Sequence, residues 1–235
     1  MNNPLVSVII TAFNYEQYIV DAVESVLNQT YRSFELIVVD DGSTDNTRKV
    51  LAPYMDHIQY HYQVNQGLSG ALNKGITLAK GTFIAFLDAD DLWLPHKLSL
   101  QVNTFCQQPA IDIVFGHLDF FYSPELSSLE RSQLSCPDSP KPGFFKACMI
   151  LKKSIFKEVG CFEESQVFGE FLHWFQKVKD RKIGYLMLPK VVAKRRIHGK
   201  NMTIVHKKAY HQDLLALVRK RRNSKVHTSK DDNES

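Results

Sequence analysis

The chain has no run of the roughly eighteen consecutive apolar residues that a membrane-crossing helix needs. Met1-Asn2-Asn3-Pro4 leads straight into a strand pattern, without the basic region and apolar stretch of an export signal. These absences predict a soluble, cytoplasmic protein. Cysteine is scarce and scattered: Cys106, Cys136, Cys148 and Cys161 form no CxxC pair and no Cys-His spacing suited to zinc, which leaves buried or inert thiols in a reducing compartment. Glycine is missing where nucleotide-binding loops need it. The segment after the first strand, Thr11-Ala12-Phe13-Asn14-Tyr15, contains none, which excludes a dinucleotide fingerprint. Gly70 and Gly75 have phosphate-loop spacing, but Ile76 stands where the lysine belongs. A diphosphate bound here must therefore be met by a metal and by basic side chains. No internal repeat is visible.

With 235 residues, 44% of them apolar, the chain can bury a substantial core. Its first hundred residues alternate strand and helix signals with short connections, the pattern of a mostly parallel sheet covered by helices. Strands are expected at Val6 to Ala12, Phe34 to Val39, Ile58 to Tyr62 and Thr82 to Leu87. Helices are expected at Ile19 to Leu27, after a cap at Ser43 or Thr44, at Leu68 to Ala79, and after Pro95. Beyond Ile111 the alternation loosens. A strand at Ile111 to Phe115 precedes a Ser- and Pro-rich surface loop from Tyr122 to Gly143. Helices follow at Lys152 to Val159 and Gly169 to Lys179, then strand character at Ile183 to Leu188 and Val191 to Arg195. The expected organisation is one α/β domain with a nucleotide-binding half, 1–110, and an acceptor-side half, 111–205. A basic helix, 206–222, and a disordered tail, 223–235, complete it.

The net charge of +4 is uneven. Between Lys190 and Arg222, lysines and arginines are opposed by Asp213 alone. On charge alone such a stretch suits nucleic acid, an anionic membrane in peripheral contact, a phosphorylated substrate or a solvated helix face; with the motifs below taken into account, no nucleic-acid partner is expected.

Two apolar strands run into carboxylates: Leu36-Ile37-Val38-Val39 into Asp40-Asp41-Gly42, and Phe83 to Leu87 into Asp88-Ala89-Asp90-Asp91. If the strands are parallel neighbours in one sheet, these acids share the edge where open α/β sheets bind ligands. The cluster repels itself unless a hard divalent cation, Mg2+ or Mn2+, sits there with phosphate oxygens and water. Each acid also has a plainer role, Asp41 before Gly as a turn cap and the Asp88 triplet as helix-capping acids.

Taken together, several segments resemble the family 2 glycosyltransferases, inverting enzymes of the GT-A fold, a Rossmann-like α/β domain. They are Val6 to Asn14, Ser25 to Tyr31, Glu35 to Asp45, Asn65-Gln66-Gly67 and Leu87 to Asp91. The resemblance implies that Thr11, Ala12, Asn14, Asp40, Asp41 and Asn73 hold the nucleoside side of a nucleotide-sugar donor, UDP being the commonest. It implies that Asp88, Ala89 and Asp90 hold donor and metal, with Asp90 as the direct ligand. Where many members carry Arg before Asn73, this chain has Leu72. Arg195-Arg196-Ile197-His198 resembles a segment that closes over the donor diphosphate, so Arg195 and Arg196 are candidate phosphate contacts and His198 a candidate metal ligand. The same stretch also reads as a basic strand end with an exposed histidine.

Inversion requires a base to deprotonate the attacking hydroxyl. In the family an acid stands four residues before a Trp, and here Glu170 stands four before Trp174. Glu170 is the candidate base and His173 its competitor; Glu163 and Glu164 rank below them. Trp174 and Trp93 both suit core positions, although Trp93 can also stack on an acceptor sugar. The implied acceptor is a hydroxyl of a glycan, lipid-linked sugar, peptide or small molecule, in a pocket built by Tyr122 to Gly143 and Phe162 to Phe168. Two alternatives use the same acids: a nucleotidyl or phosphoryl transferase, and a donor-binding protein without turnover.

Overall fold

The computed structural model describes residues 3–165, 169–206 and 208. In chain order its elements are β1 (Val6–Ala12), α1 (Ile19–Leu27), β2 (Phe34–Asp40), α2 (Thr47–Val50), β3 (Gln59–Tyr62), α3 (Gly67–Leu78), β4 (Phe83–Asp88), β5 (Leu92–Trp93) and α4 (Lys97–Gln107). There follow β6 (Ile113–Tyr122), α5 (Ser128–Gln133), β7 (Lys141–Pro142), β8 (Met149–Lys152), α6 (Ile155–Val159), α7 (Glu170–Asp180), β9 (Tyr185–Ile197) and α8 (Met202–Val205).

All these strands join one sheet in the order β3-β2-β1-β4-β8-β6-β9-β5, with β7 beside β6. β1 to β4 pair in parallel, β8 runs antiparallel between β4 and β6, and β9 returns parallel to β6. Both expected halves, 1–110 and 111–205, thus feed a single mostly parallel sheet.

Helices cover both faces, so β1 is buried along its whole length and the central strands are mainly apolar rather than alternating. Val6, Val8 and Ile10 of β1 face a core shared with Val23 of α1 and Leu98 and Val102 of α4. Ile9 faces the other core, with Leu72 and Ile76 of α3 and Trp174 and Phe175 of α7. Gly75 lets α3 approach β1 closely, since a Cβ there would lie 2.4 Å from Ile9 Cγ2.

Register then sets the site. Ala12 pairs with Asp40 and Thr11 with Asp88, so β1, β2 and β4 end together at one sheet edge. The short β5 just beyond β4 pairs with β9, Trp93 opposite Ala193 and Leu92 opposite Lys194. This pairing delivers the segment 195–201 to the same edge.

Several expected elements are corrected. Ser43 and Thr44 cap no helix: Ser43 Oγ accepts from the Asn14 N–H, and the Thr44 N–H donates to Asn14 Oδ1. The helix there is short and begins at Thr47. The segment Tyr122 to Gly143 contains α5, held by a capping box between Ser127 and Glu130, and β7. Lys152 belongs to strand β8, and α6 begins only at Ile155. The two late strands are one, β9, whose register with β6 shifts between Met187 and Val191, around Pro189, which has no N–H to donate. The expected basic helix and tail lie outside the described residues, apart from His206 and Lys208.

Candidate active site

A cavity of about 510 Å³ opens at this edge. Of the expected site residues, Thr11, Ala12, Asp41, Asp88, Ala89, Asp90, Glu170 and Arg195 line it. Asn14, Asp40, Asn73, Arg196, His198 and His173 do not.

The acids at the edge do not converge on a common point. Asp40 accepts from the Tyr60 hydroxyl at 2.5 Å and the Ser43 N–H at 2.8 Å, both partners within the protein. Asp41 accepts through Oδ1 from Gln63 Nε2 and the Gln66 N–H and still borders the cavity. Asp91 accepts from the Arg196 N–H at 3.0 Å. Protein donors therefore satisfy Asp40, Asp41 and Asp91 in part while repulsion persists among Asp88, Asp90 and Asp91, and among the described residues no cluster of three His, Cys, Asp or Glu is arranged to hold a metal. Burial pushes the Asp91 carboxyl well up, with Asp90 and Asp88 adding to it. Burial also raises Asp88, where Asp90 and Glu170 add to the effect and Lys146 opposes it.

Asp90 and His198 do meet. Both are buried, and His198 Nε2 lies 3.0 Å from Asp90 Oδ2. The Lys200 N–H donates to His198 Nδ1 at 3.2 Å, so a neutral imidazole carries its proton on Nε2, directed at Asp90. Asn201 Nδ2 reaches the same carboxylate oxygen at 3.3 Å. In this arrangement Asp90 Oδ2 is an oxygen ligand open to a divalent ion completed by phosphate oxygens and water, whereas His198, with Nδ1 accepting from Lys200 and its Nε2 proton on Asp90, becomes a ligand only by losing that proton to make room for the ion.

The two arginines divide their work. Arg196 is a buried brace: its Nε donates to the Asp90 carbonyl, its Nη2 to Asp21, and its guanidinium sits between the Tyr18 and Phe121 rings. Arg195 borders the cavity, 5.1 Å from the Phe145 ring centroid, and donates to Thr203 Oγ1 of α8. Asn14 ties the loop after β1 to the loop after β2, accepting from the Thr44 and Asp45 N–H groups in a left-handed conformation, φ 60°. Asn73 fastens the two halves together, donating to the Phe162 carbonyl at 2.9 Å and accepting from its N–H at 3.0 Å.

Glu170 begins α7 and is buried at the cavity wall, ion-paired with Lys146. Burial pushes its carboxyl up, but the Lys146 ammonium and the Glu170 and Phe171 N–H groups outweigh this and hold it below the ordinary value. It is therefore ionised at neutral pH, as a proton acceptor must be. Trp174 is core, its indole N–H donating to the Gly160 carbonyl. Trp93 is buried too and donates to the Ala147 carbonyl, so it does not stack on a sugar.

Sequence reasoning missed several lining residues. Tyr15 borders the cavity, and burial, then Asp90, Asp88 and Asp91, push its phenol well above the usual value, keeping it a donor. Ser69, in the first turn of α3, lines the cavity with a buried Oγ that has no hydrogen-bond partner among the described residues. Lys146 is the largest omission, and its signal was a lysine inside the otherwise apolar run Phe144 to Leu151. The stretch Tyr122 to Gly143, expected to shape an acceptor pocket, contributes nothing to this cavity; Glu164 does, and 166–168 lie outside the described residues.

Comparison with known proteins agrees with this architecture. The family described as Glycosyl transferase family 2 matches residues 7–160, and the chain belongs to that family. An uncharacterised glycosyltransferase of Rickettsia typhi, RT0329, is 31% identical over 213 residues, covering 86% of this chain and 66% of its own length. The chain thus spans about two thirds of that relative. Among solved structures, S. aureus TarS 1-349 in complex with UDP-GlcNAc has a TM-score of 0.67 at 18% identity, covering 86% of this chain and 60% of that one. The mannosyltransferase PcManGT from Pyrobaculum calidifontis, in complex with GDP-Man and Mn2+, has a TM-score of 0.65 at 20% identity, covering 86% and 59%. The fold is that of the GT-A enzymes. Among the described residues no helix is long and apolar enough to cross a membrane.

Proposed function

We propose that this chain transfers a sugar, with inversion, from a nucleotide sugar to a hydroxyl of an acceptor such as a glycan or lipid-linked sugar. The donor bound by the similar TarS is a UDP-sugar and that bound by PcManGT a GDP-sugar, so UDP is the first donor to test and GDP the second. The observation that carries the reading is the Asp90–His198 pair at a cavity whose lining acids, Asp41, Asp88, Asp90, Asp91, Glu164 and Glu170, outnumber its lining cations, Lys146 and Arg195. That excess negative charge favours Mn2+ or Mg2+ held by Asp90, with His198 joining only once its Nε2 proton has left, and the ion when bound would neutralise the diphosphate leaving group.

The chain's own residues account for the rest. Asp41 and Thr11 lie at the ends of β2 and β1 for the nucleoside, and Arg195 offers charge to the phosphates. Glu170 takes the proton from the attacking hydroxyl. Asp40, Asn14, Asn73 and Arg196 act from behind, holding the loops and strand ends that carry those groups. A peripheral membrane role for the basic C-terminal stretch remains part of this proposal.

Incubation of the full chain with UDP- and GDP-sugars and Mn2+ should release the nucleoside diphosphate slowly by hydrolysis. Pyrophosphate release from a nucleoside triphosphate would instead mark a nucleotidyltransferase, and Mn2+-dependent binding without turnover a donor-binding protein.

A further inference from the structure

Lys146 is 4% exposed, forms an ion pair with Glu170, and has its Nζ 4.0 Å from Asp88 Oδ1. It stands on the short turn Lys146–Cys148, and the backbone there is held with unusual completeness. Three consecutive carbonyls each accept from a buried side chain: Ala147 from Trp93 Nε1 at 2.8 Å, Cys148 from Gln101 Nε2 at 2.8 Å, and Met149 from Lys97 Nζ at 3.1 Å. Trp93 comes from β5 and the other two from α4, so elements next to the acid cluster fix the position of this one lysine. A supporting shell of this kind is what a precisely placed charge requires.

Stability alone does not explain the arrangement. The side chains of Lys146 and Glu170 are 5% and 9% exposed, and stripping water from two such charges costs about as much as their attraction returns. Two apolar side chains of similar size would hold the same wall at no loss. The pair instead keeps a carboxylate ionised where the cavity needs a proton acceptor.

We propose that Lys146 is a positioning residue for sugar transfer: its ammonium holds the Glu170 carboxylate ionised and fixed at the cavity wall beside Asp88. This rests on the reading of Glu170 as the base. Lys146 also stands 4.0 Å from Asp88 Oδ1, so the part of its effect that runs through Glu170 is the part that vanishes when Glu170 is replaced.

The test uses the full chain as wild type, Lys146→Met, Lys146→Arg, Glu170→Gln and the double variant, measuring nucleoside diphosphate release from a UDP-sugar with Mn2+ and recording thermal melts alongside. Lys146→Met should lower kcat by about 100-fold while donor KM moves by less than about threefold, and Lys146→Arg should recover at least about tenfold of that loss. In the Glu170→Gln background, Lys146→Met should cost at least about tenfold less than it does in wild type. If Lys146→Met fails to fold, the double variant, which lacks the unpaired Glu170 charge, carries the comparison against Glu170→Gln alone. Losses that multiply, or a KM that rises with kcat intact, would overturn the role of Lys146. Wild-type protein that consumes no nucleotide sugar would instead overturn the underlying reading, and this proposal with it.

Discussion

His198 Nε2 lies 3.0 Å from Asp90 Oδ2 although 108 residues separate the two along the chain. The contact is a product of strand pairing. β5 follows the acid turn, β9 pairs with it, and the Arg196 N–H and Nε clamp that turn through Asp91 Oδ1 and the Asp90 carbonyl. The histidine arrives already oriented by the Lys200 N–H.

Asp90→Ala should abolish Mn2+-dependent donor binding and slow turnover by about 100-fold or more, since a metal contributes several kcal/mol to such a step. Calorimetry with UDP in Mn2+ and in chelator checks it. Equal heats in wild type and variant would remove Asp90 from the metal site.

Glu170→Gln should leave donor affinity within about threefold and lower kcat by roughly 100-fold, the loss expected when a general base is removed. Steady-state kinetics on the donor read both numbers. If turnover persists unchanged, His173, one turn along α7, becomes the residue to replace next.

Lys97 should make stability depend on pH. It is wholly buried, donates to Gln101 Oε1 and the Met149 carbonyl, and lies 4.2 Å from the Trp93 ring centroid. Burial lowers its pKa to about 7. Unfolded, the same group titrates near about 10.4, so above pH 7 the unfolded chain holds a proton that the folded one has released, and stability rises with pH. Below pH 7 both states are charged and the penalty stays constant. From pH 7 to 8.5 wild type should gain on Lys97→Met by about 1 kcal/mol per pH unit in urea titrations. Parallel curves for the two proteins would refute this.

Asn73→Ala should cost about 1–3 kcal/mol of stability by leaving both Phe162 backbone groups unpaired. Donor affinity should change far less. A tenfold loss of donor binding in a variant of unchanged stability would return Asn73 to the nucleoside site.

The first hundred residues were legible because each strand and helix there is signalled by its own periodicity, and the close match of Val6–Ala12 and Ile19–Leu27 follows from that. That Thr11, Asp41, Asp88 and Asp90 share one edge was legible for the same reason, since they lie at or just beyond strand ends. Later elements were harder to read. The four residues of β8 are too short to show a period, and their strand character comes from pairing with β4 and β6. Asp40 was named from spacing, and spacing does not reveal that Tyr60 and Ser43 already donate to its oxygens. A lone lysine in the apolar run Phe144 to Leu151 marks Lys146 as unusual, but its partners on β5, α4 and α7 are tertiary and no local pattern names them.

The family match ends at residue 160, yet β9 supplies an interior strand of the sheet and, with the residues after it, Arg195, His198 and Asn201. An expression boundary drawn at the end of that match would discard an interior strand together with the groups that hold Asp90. Such a fragment would expose β6 and the core around Phe115 to water, and failed expression of it would say nothing about the enzyme.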